Sequence, residues 1–162
     1  MSRAAGSRPD VAKAENAPAA PRPLEVTFPS SSEYLSLLRT TVRWFAKKCR
    51  FSDKACHRIV LAAVEATTNI IRHAYAMDPS QRITLRMAEV DGGIQLEFLD
   101  DGRHSPQAFP ECPRTEDLKP GGLGVRMMKM CMDGFSYESR PQGGSRLVLR
   151  KLRDGDEECG CA

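Results

Sequence analysis

The chain has 162 residues, a hydrophobic fraction of 41%, a charged fraction of 28% and a formal net charge of +3, the profile of one ordinary globular domain with a core of its own plus some tail. So weak and scattered a positive charge argues against DNA or RNA as a partner, and no apolar run reaches the roughly 20 residues that span a bilayer. The N-terminus carries positive charge with no apolar segment behind it, so no signal peptide is expected and the expected location is cytoplasmic.

Residues 1–23, rich in Ala, Pro, Arg and Ser, lack the apolar content that repays ordering and read as a disordered leader. Leu24 to Phe28 alternate as a short strand that Pro29 closes. Ser30, Ser31 and Ser32 offer N-caps, with Glu33 placed to complete a capping box with Ser30. A helix follows to about Cys49, its buried face formed by Leu35, Leu38, Val42, Phe45 and Ala46. Ser52 or Asp53 caps a second helix, expected to run to about Ala76. After the turn Asp78-Pro79-Ser80, two alternating runs, Ile83 to Val90 and Ile94 to Leu99, meet at Asp91-Gly92-Gly93, a strong hairpin signal.

From Asp101 to Pro120 there is no periodicity, and prolines stand at 106, 110, 113 and 120. Long structureless segments inside a compact domain are usually functional loops or disordered. Gly121-Gly122-Leu123-Gly124 opens a third helix, Val125 to about Met132. Two strand-like runs, Gly134 to Ser139 and Ser145 to Lys151, flank Arg140 to Gly144, and a short acidic tail follows Arg153. The six cysteines, at 49, 56, 112, 131, 159 and 161, form no CxxC pair and read as reduced thiols, several of them buried; Cys159-Gly-Cys161 is half a metal site at most. The order β-α-α-β-β-α-β-β implies an α+β fold, a two-layer sandwich with a mixed, mostly antiparallel sheet and helices on one face. A doubly wound parallel sheet needs a helix between successive strands.

Three segments carry candidate chemistry. Glu65, Asn69 and His73 recur every fourth residue, which places a carboxylate, an amide and an imidazole in one row of the second helix. Around them stand the core-type residues Ile59, Val60, Val64, Ile70 and Ile71. Glu65 suits a general base, and Asn69 offers the kind of oxygen that Mg²⁺ takes alongside phosphate oxygens. Arg72 and His73, near the helix end, suit a phosphate contact or a brace for the neighbouring loop. The plain alternative is a partly exposed helix face. Next, Leu99-Asp100-Asp101-Gly102 ends a strand with a carboxylate that can accept from an amino group such as adenine N6, beside a glycine that admits close backbone approach. The alternative is an ordinary Asp-Gly turn. Last, the glycines at 121, 122 and 124 leave bare N–H groups at a helix N-terminus, an anion site, where the alternative is a flexible connection. No Gly-x-x-x-x-Gly-Lys-Ser/Thr run occurs, which excludes a Walker-type loop.

Taken together, the run Glu65-x-x-x-Asn69-x-x-x-His73-Ala74-Tyr75 resembles the N box of the GHKL ATPases, and more narrowly that of the bacterial anti-sigma-factor serine/threonine kinases. Asp100-Asp101-Gly102 is similar to that family's first glycine box. Gly122-Leu-Gly124-Val-Arg126, followed by Met-Met-Lys-Met-Cys-Met-Asp133, is similar to its second. The resemblance covers about residues 24 to 152, with a flexible tail over 153–162, and implies the Bergerat-type sandwich, also called a histidine-kinase-like ATPase domain. It implies ATP and Mg²⁺ as cofactors, with Glu65 as catalytic base, Asn69 as metal ligand and Asp100 on the adenine amino group. Gly102 would line the pocket and Gly122 and Gly124 would meet the phosphates, beneath the 101–120 loop as ATP lid. His73, Gly121, Leu123 and Val125 complete the expected cofactor-binding set. The implied partners are a sigma factor and a STAS-domain anti-anti-sigma protein, the implied assembly a homodimer. One position departs from the pattern: the second glycine of the first box is His104. That departure keeps a second reading in view, an ATP-binding module that sequesters a regulator without catalysis. A sensor histidine kinase fits less well, since no long dimerisation helix pair bearing a phosphoacceptor histidine precedes the domain and His57 reads as a surface residue near the start of the second helix.

Overall fold

In a computed structural model of the chain, residues 23–102 and 123–153 are described. Nearly all of the expected leader, His104 with nearly all of the 101–120 loop, Gly121, Gly122, three of the six cysteines and nearly all of the tail lie outside those residues.

Strand β1 (Leu24–Pro29) leads through a short 3₁₀ turn into α1 (Leu35–Lys48). Helix α2 (Asp53–Asn69) continues into a π turn, Ile70–Ala74. Strands β2 (Arg82–Val90) and β3 (Gly93–Asp100) form the expected hairpin, with Gly92 at φ 74° in its turn. Helix α3 (Leu123–Cys131), β4 (Gly134–Ser139) and β5 (Ser145–Leu152) follow. The five strands form one sheet in the order β1-β2-β3-β5-β4. Every neighbouring pair among the described residues is antiparallel, so the mixed sheet expected from sequence is fully antiparallel there.

Alternation along the strands sorts the two faces. Ile83, Leu85 and Met87 of β2, Ile94, Leu96 and Phe98 of β3, and Leu147 and Leu149 of β5 pack in one core with Leu38, Val42 and Phe45 of α1, Ile59, Ala62, Ala63 and Ala66 of α2, and Val125 and Met128 of α3. The other sheet face is polar. There Arg86 pairs with Glu25 at 2.6 Å and with Glu97 at 3.9 Å, Glu97 also pairs with Arg146, and Arg146 reaches Glu138 at 3.7 Å. One ladder of alternating charge thus crosses all five strands, and it keeps that face wetted more than it adds stability, since exposed pairs contribute little each. Among the described cysteines Cys49, Cys56 and Cys131 are free and buried, as expected. Burial pushes the Cys49 and Cys56 thiols up, so they pack as neutral groups. No helix among the described residues is long and apolar enough to cross a membrane.

Three expectations are corrected. The cap before α1 is Ser31, whose Oγ accepts from Glu33 N–H at 3.4 Å, while Ser30 is buried; the serine beside the core end of β1 is taken up by packing and the next one does the capping. Helix α3 starts at Leu123, so Gly124 lies inside its first turn rather than ahead of it. The second helix does not run as a regular α-helix to Ala76. The Tyr75 N–H reaches back five residues to Ile70 O at 3.1 Å, and positive φ at Ala76 and Met77 ends the segment. On a regular helix Ile70 and Tyr75 stand about 140° apart; the wider turn brings both toward the core, where both are buried.

An ion pair between a buried lysine and an aspartate at the surface closes the far end of the domain. Lys151, 5% exposed, donates to Asp133 Oδ1 at 2.9 Å, while Asp133 Oδ2 accepts from Leu152 N–H at 2.7 Å. Burial works to raise the Asp133 pKa, but the Lys151 and Leu152 donors and the Arg58 charge overcome it and hold the carboxyl below its ordinary 3.8. Asp133→Ala leaves a buried ammonium unpaired and, with the pair partly screened by solvent on the aspartate side, is expected to cost about 1–3 kcal/mol, read by urea unfolding at neutral pH, with Lys151→Met on that background recovering part of the loss. A depressed folded pKa means that the carboxyl adds stability above its unfolded pKa and loses it as the pH falls through the folded one. The part of the wild-type acid-side decline due to this pair therefore lies below pH 3.8, and a variant with an unchanged decline there contradicts the assignment.

Candidate functional site

Helix α2 is positioned by its small buried residues. Ala62, Ala63 and Ala66 let it lie close to the sheet, which turns Glu65 and Asn69 onto the shoulder that faces α3. Thr67, also buried, ties its hydroxyl to Ala63 O at 2.9 Å, so it makes no demand on the row. Glu65 is half-buried, and Asn69 is 9% exposed with its Nδ2 lacking any partner among the described residues. A buried amide left in that state costs about 1–3 kcal/mol.

Helix α3 meets this row at a glycine. A Cβ on Gly124 would lie 2.8 Å from Glu65 Oε2 and 3.4 and 3.5 Å from the Asn69 amide atoms. The bare backbone of the first helical turn therefore sits directly against the carboxylate and the amide. Between them opens a pocket of about 210 Å³, with Glu65, Asn69, Arg72 and His73 on one side and Leu123, Gly124 and Met127 on the other. Arg72 and His73 are exposed at its rim. The orphaned amide and the missing Cβ fit an oxygen-rich anion held at a helix N-terminus. No cluster of three His, Cys, Asp or Glu able to hold a metal occurs among the described residues. A cation there would depend on Asn69 and on oxygens brought by the ligand, the manner in which Mg²⁺ is commonly bound.

Asp100 does not line that pocket. It is 2% exposed at the end of β3, where its Oδ1 accepts from Gly102 N–H at 2.9 Å and its Oδ2 from Ser145 Oγ–H at 2.6 Å. Gly102 adjoins the π turn so closely that a Cβ there would fall 2.6 Å from Ala74 O. The structure thus brings Glu65, Asn69, His73, Leu123 and Gly124 to one pocket and sets Asp100 and Gly102 beside it, with Ala74 as the junction. Val125 is buried, its side chain in the core. Gly121 and Gly122 lie outside the described residues.

Several contributors escaped the sequence reading. Ser145 stands opposite Asp100 because β3 pairs with β5, and no local pattern reveals that pairing. Gly144, at φ 76°, lies where a Cβ would be 1.9 Å from Asp100 O; Gly143-Gly144 is legible as a turn but not as a neighbour of Asp100. Arg140 pairs with Asp101 Oδ1 at 2.6 Å. Tyr75 was visible within the motif, without a role.

The two site glycines should respond differently to a methyl group. In Gly102→Ala the obstacle is backbone, so the end of β3 must shift, with an expected loss of about 1–3 kcal/mol. In Gly124→Ala the nearest atom is the free end of a glutamate, which can swing aside, so stability should stay within about 1 kcal/mol while the Glu65 carboxylate is displaced. Thermal unfolding of the two variants checks this; equal losses would contradict the close approach at Gly102.

Known proteins resemble this chain along most of its length. A family model described as a histidine kinase-like ATPase domain matches residues 28–151. The serine-protein kinase RsbW of Halalkalibacterium halodurans is 28% identical over 144 residues, covering 85% of this chain and 87% of the relative. The anti-sigma F factor of Clostridium acetobutylicum is 27% identical over 132 residues, 79% of this chain and 92% of the relative. Among solved structures, the SiaB–SiaC complex from Pseudomonas aeruginosa contains a chain similar at TM-score 0.62 and 15% identity, over 82% of this chain and 90% of that one. The RsbU and RsbW domains of a Mycobacterium tuberculosis protein are similar at TM-score 0.60 and 20% identity, over 80% of this chain and 31% of that longer one. The two structural likenesses show the fold; with a family match running from the end of β1 into β5, the chain belongs to the histidine kinase-like ATPase domain family.

Proposed function

We propose that this protein is an ATP-dependent serine/threonine protein kinase of the anti-sigma-factor type. In this reading it binds a sigma factor or similar regulator and phosphorylates a STAS-domain antagonist, as a cytoplasmic homodimer that uses Mg²⁺. The observation that carries it is the meeting of Glu65 and Asn69 with the bare first turn of α3 at Gly124. Relatives named serine-protein kinase and anti-sigma F factor, matched over most of their length, support it.

ATP with Mg²⁺ would supply the phosphoryl group and neutralise the charge that develops as it moves. The chain's own residues then divide the work. Asn69 offers its amide to the metal and phosphate oxygens, and the α3 N-terminus at Leu123 and Gly124, continuing from Gly121 and Gly122, holds phosphate through backbone N–H groups. Arg72 adds positive charge at the rim, and the His73 imidazole a further polar group. Asp100, its direction set by Ser145 and Gly102, accepts from the adenine amino group. Glu65 takes the proton from the partner's serine or threonine hydroxyl.

General-base catalysis contributes about a hundred- to ten-thousand-fold. Glu65→Ala is therefore expected to lower transfer to a cognate STAS partner by about that factor while ATP affinity changes by less than about threefold. Labelled ATP and filter or calorimetric binding read the two quantities separately. Undiminished transfer would remove Glu65 from the role, and a wild-type protein that binds ATP but phosphorylates no STAS partner would favour a non-catalytic sequestering module.

A further inference from the structure

Tyr75 is 6% exposed, and its hydroxyl makes two hydrogen bonds. It donates to Arg82 O at 2.7 Å and accepts from Asp101 N–H at 2.7 Å. Arg82 opens β2, and Asp101 follows directly on the end of β3. The β2–β3 register pairs Thr84 with Leu99, and two further steps along it set Arg82 against Asp101. At that point the strands do not join directly: the phenol oxygen stands between the carbonyl of one and the N–H of the other. Burial, with the nearby Asp100 and Asp101 charges, raises the phenol pKa against the Asp101 N–H donation, so the hydroxyl keeps its proton for Arg82 at neutral pH.

We infer that Tyr75 is a positioning residue for nucleotide-base selection: its hydroxyl is an inserted rung that ends the β2–β3 ladder and fixes where Asp101 and Gly102 leave the sheet, and so aims the Asp100 carboxylate. The inference rests on the reading of Asp100 as the acceptor for the adenine amino group. Two details support the link. Gly102 N–H donates to Asp100 Oδ1 at 2.9 Å, so the path of the chain after Asp101 decides one of the contacts on that carboxylate. Arg140, from the β4–β5 turn, holds the Asp101 side chain at 2.6 Å, so the residue is pinned at its backbone by α2's extension and at its carboxylate by the neighbouring hairpin. The π turn places the phenol for this task, since it sets the path of the chain from Asn69 to Tyr75. The tyrosine therefore joins the wall that carries Glu65 and Asn69 to the wall that carries Asp100.

Tyr75→Phe removes one oxygen from this arrangement. Arg82 O and Asp101 N–H then either close on each other, which draws Gly102 toward β2, or lose their partner; both disturb the Asp100 carboxylate. Affinities of the full-length protein for ATP and GTP, measured by calorimetry alongside thermal unfolding, test this. The expected result is about a five- to tenfold loss for ATP with GTP little changed, so that base discrimination shrinks. An unchanged ATP-to-GTP ratio, or an equal loss for both nucleotides, overturns the proposal. Should the variant not fold, amide exchange of the wild-type protein decides: Asp101 N–H must be protected well beyond an exposed loop amide, and an unprotected one overturns the rung. Asp100→Ala separates this from the underlying reading. If that variant keeps the wild-type preference for ATP, the role of Asp100 fails and the inference falls with it; if it loses the preference while Tyr75→Phe retains it, only the inference fails.

Discussion

Asn69 sits on a helix that packs into the core, with an amide nitrogen that finds no acceptor among the described residues. A fold that only had to be stable would cover such a group, and the means are close at hand, since a polar side chain on the first turn of α3 could reach it. Instead α3 presents Gly124 there, and the space above the row stays open. The free energy that holds α2 must then come from its opposite side. Ile59, Ala62, Ala63 and Ala66 supply it by close packing against the sheet. Small residues on one flank and unmet polar demand on the other are two aspects of one requirement: a rigid platform whose exposed shoulder is complementary to something other than protein.

The remainder of the domain serves that platform. Helix α2 lies between α1 and α3, so the row is braced from both sides. The ends of β3 and β5 are paired so that Asp100 meets Ser145, which aims the carboxylate by a donor on another strand rather than by local chain geometry. At the opposite end of the molecule, Asp133 ties the exit of α3 to β5 through Lys151 and Leu152, which fixes the orientation of the helix whose start forms the pocket. The charged ladder on the outer sheet face needs no second layer of helices, and the three helices among the described residues lie on the side that carries the site.

What the sequence made legible follows from the range of the forces involved. Element positions are local, and the hairpin at Asp91-Gly92, the Ser52 cap on α2 and the buried stripe of α1 through Leu38, Val42 and Phe45 were all readable from spacing alone. The polar row was readable for the same reason, because a four-residue repeat reports a helix face without knowledge of what the face meets. Contacts between distant strands were not. Ser145 and Arg140 lie 45 and 39 residues from the aspartates that they hold, and nothing in either stretch signals the pairing of β3 with β5. The π turn was hidden for another reason: Ile71 and Tyr75, four residues apart, have the spacing of an ordinary helix face, so only the hydrogen bond from Tyr75 back to Ile70 distinguishes the two.

That turn gives the count of residues a meaning apart from their identity. A helix that closes one bond over five residues instead of four holds one residue more than its length requires. Taking out any single residue between Ile70 and Ala74 would let the backbone relax into a regular helix in which the tyrosine follows Ile70 by four residues, so that what comes after would keep nearly its present direction. A chain of unchanged length wound as a regular helix would retain the glutamate, the asparagine and the tyrosine and still point the phenol away from the sheet. For this stretch, a one-residue gap in an alignment is compatible with the same geometry, and a match of letters over an unbroken helix is not.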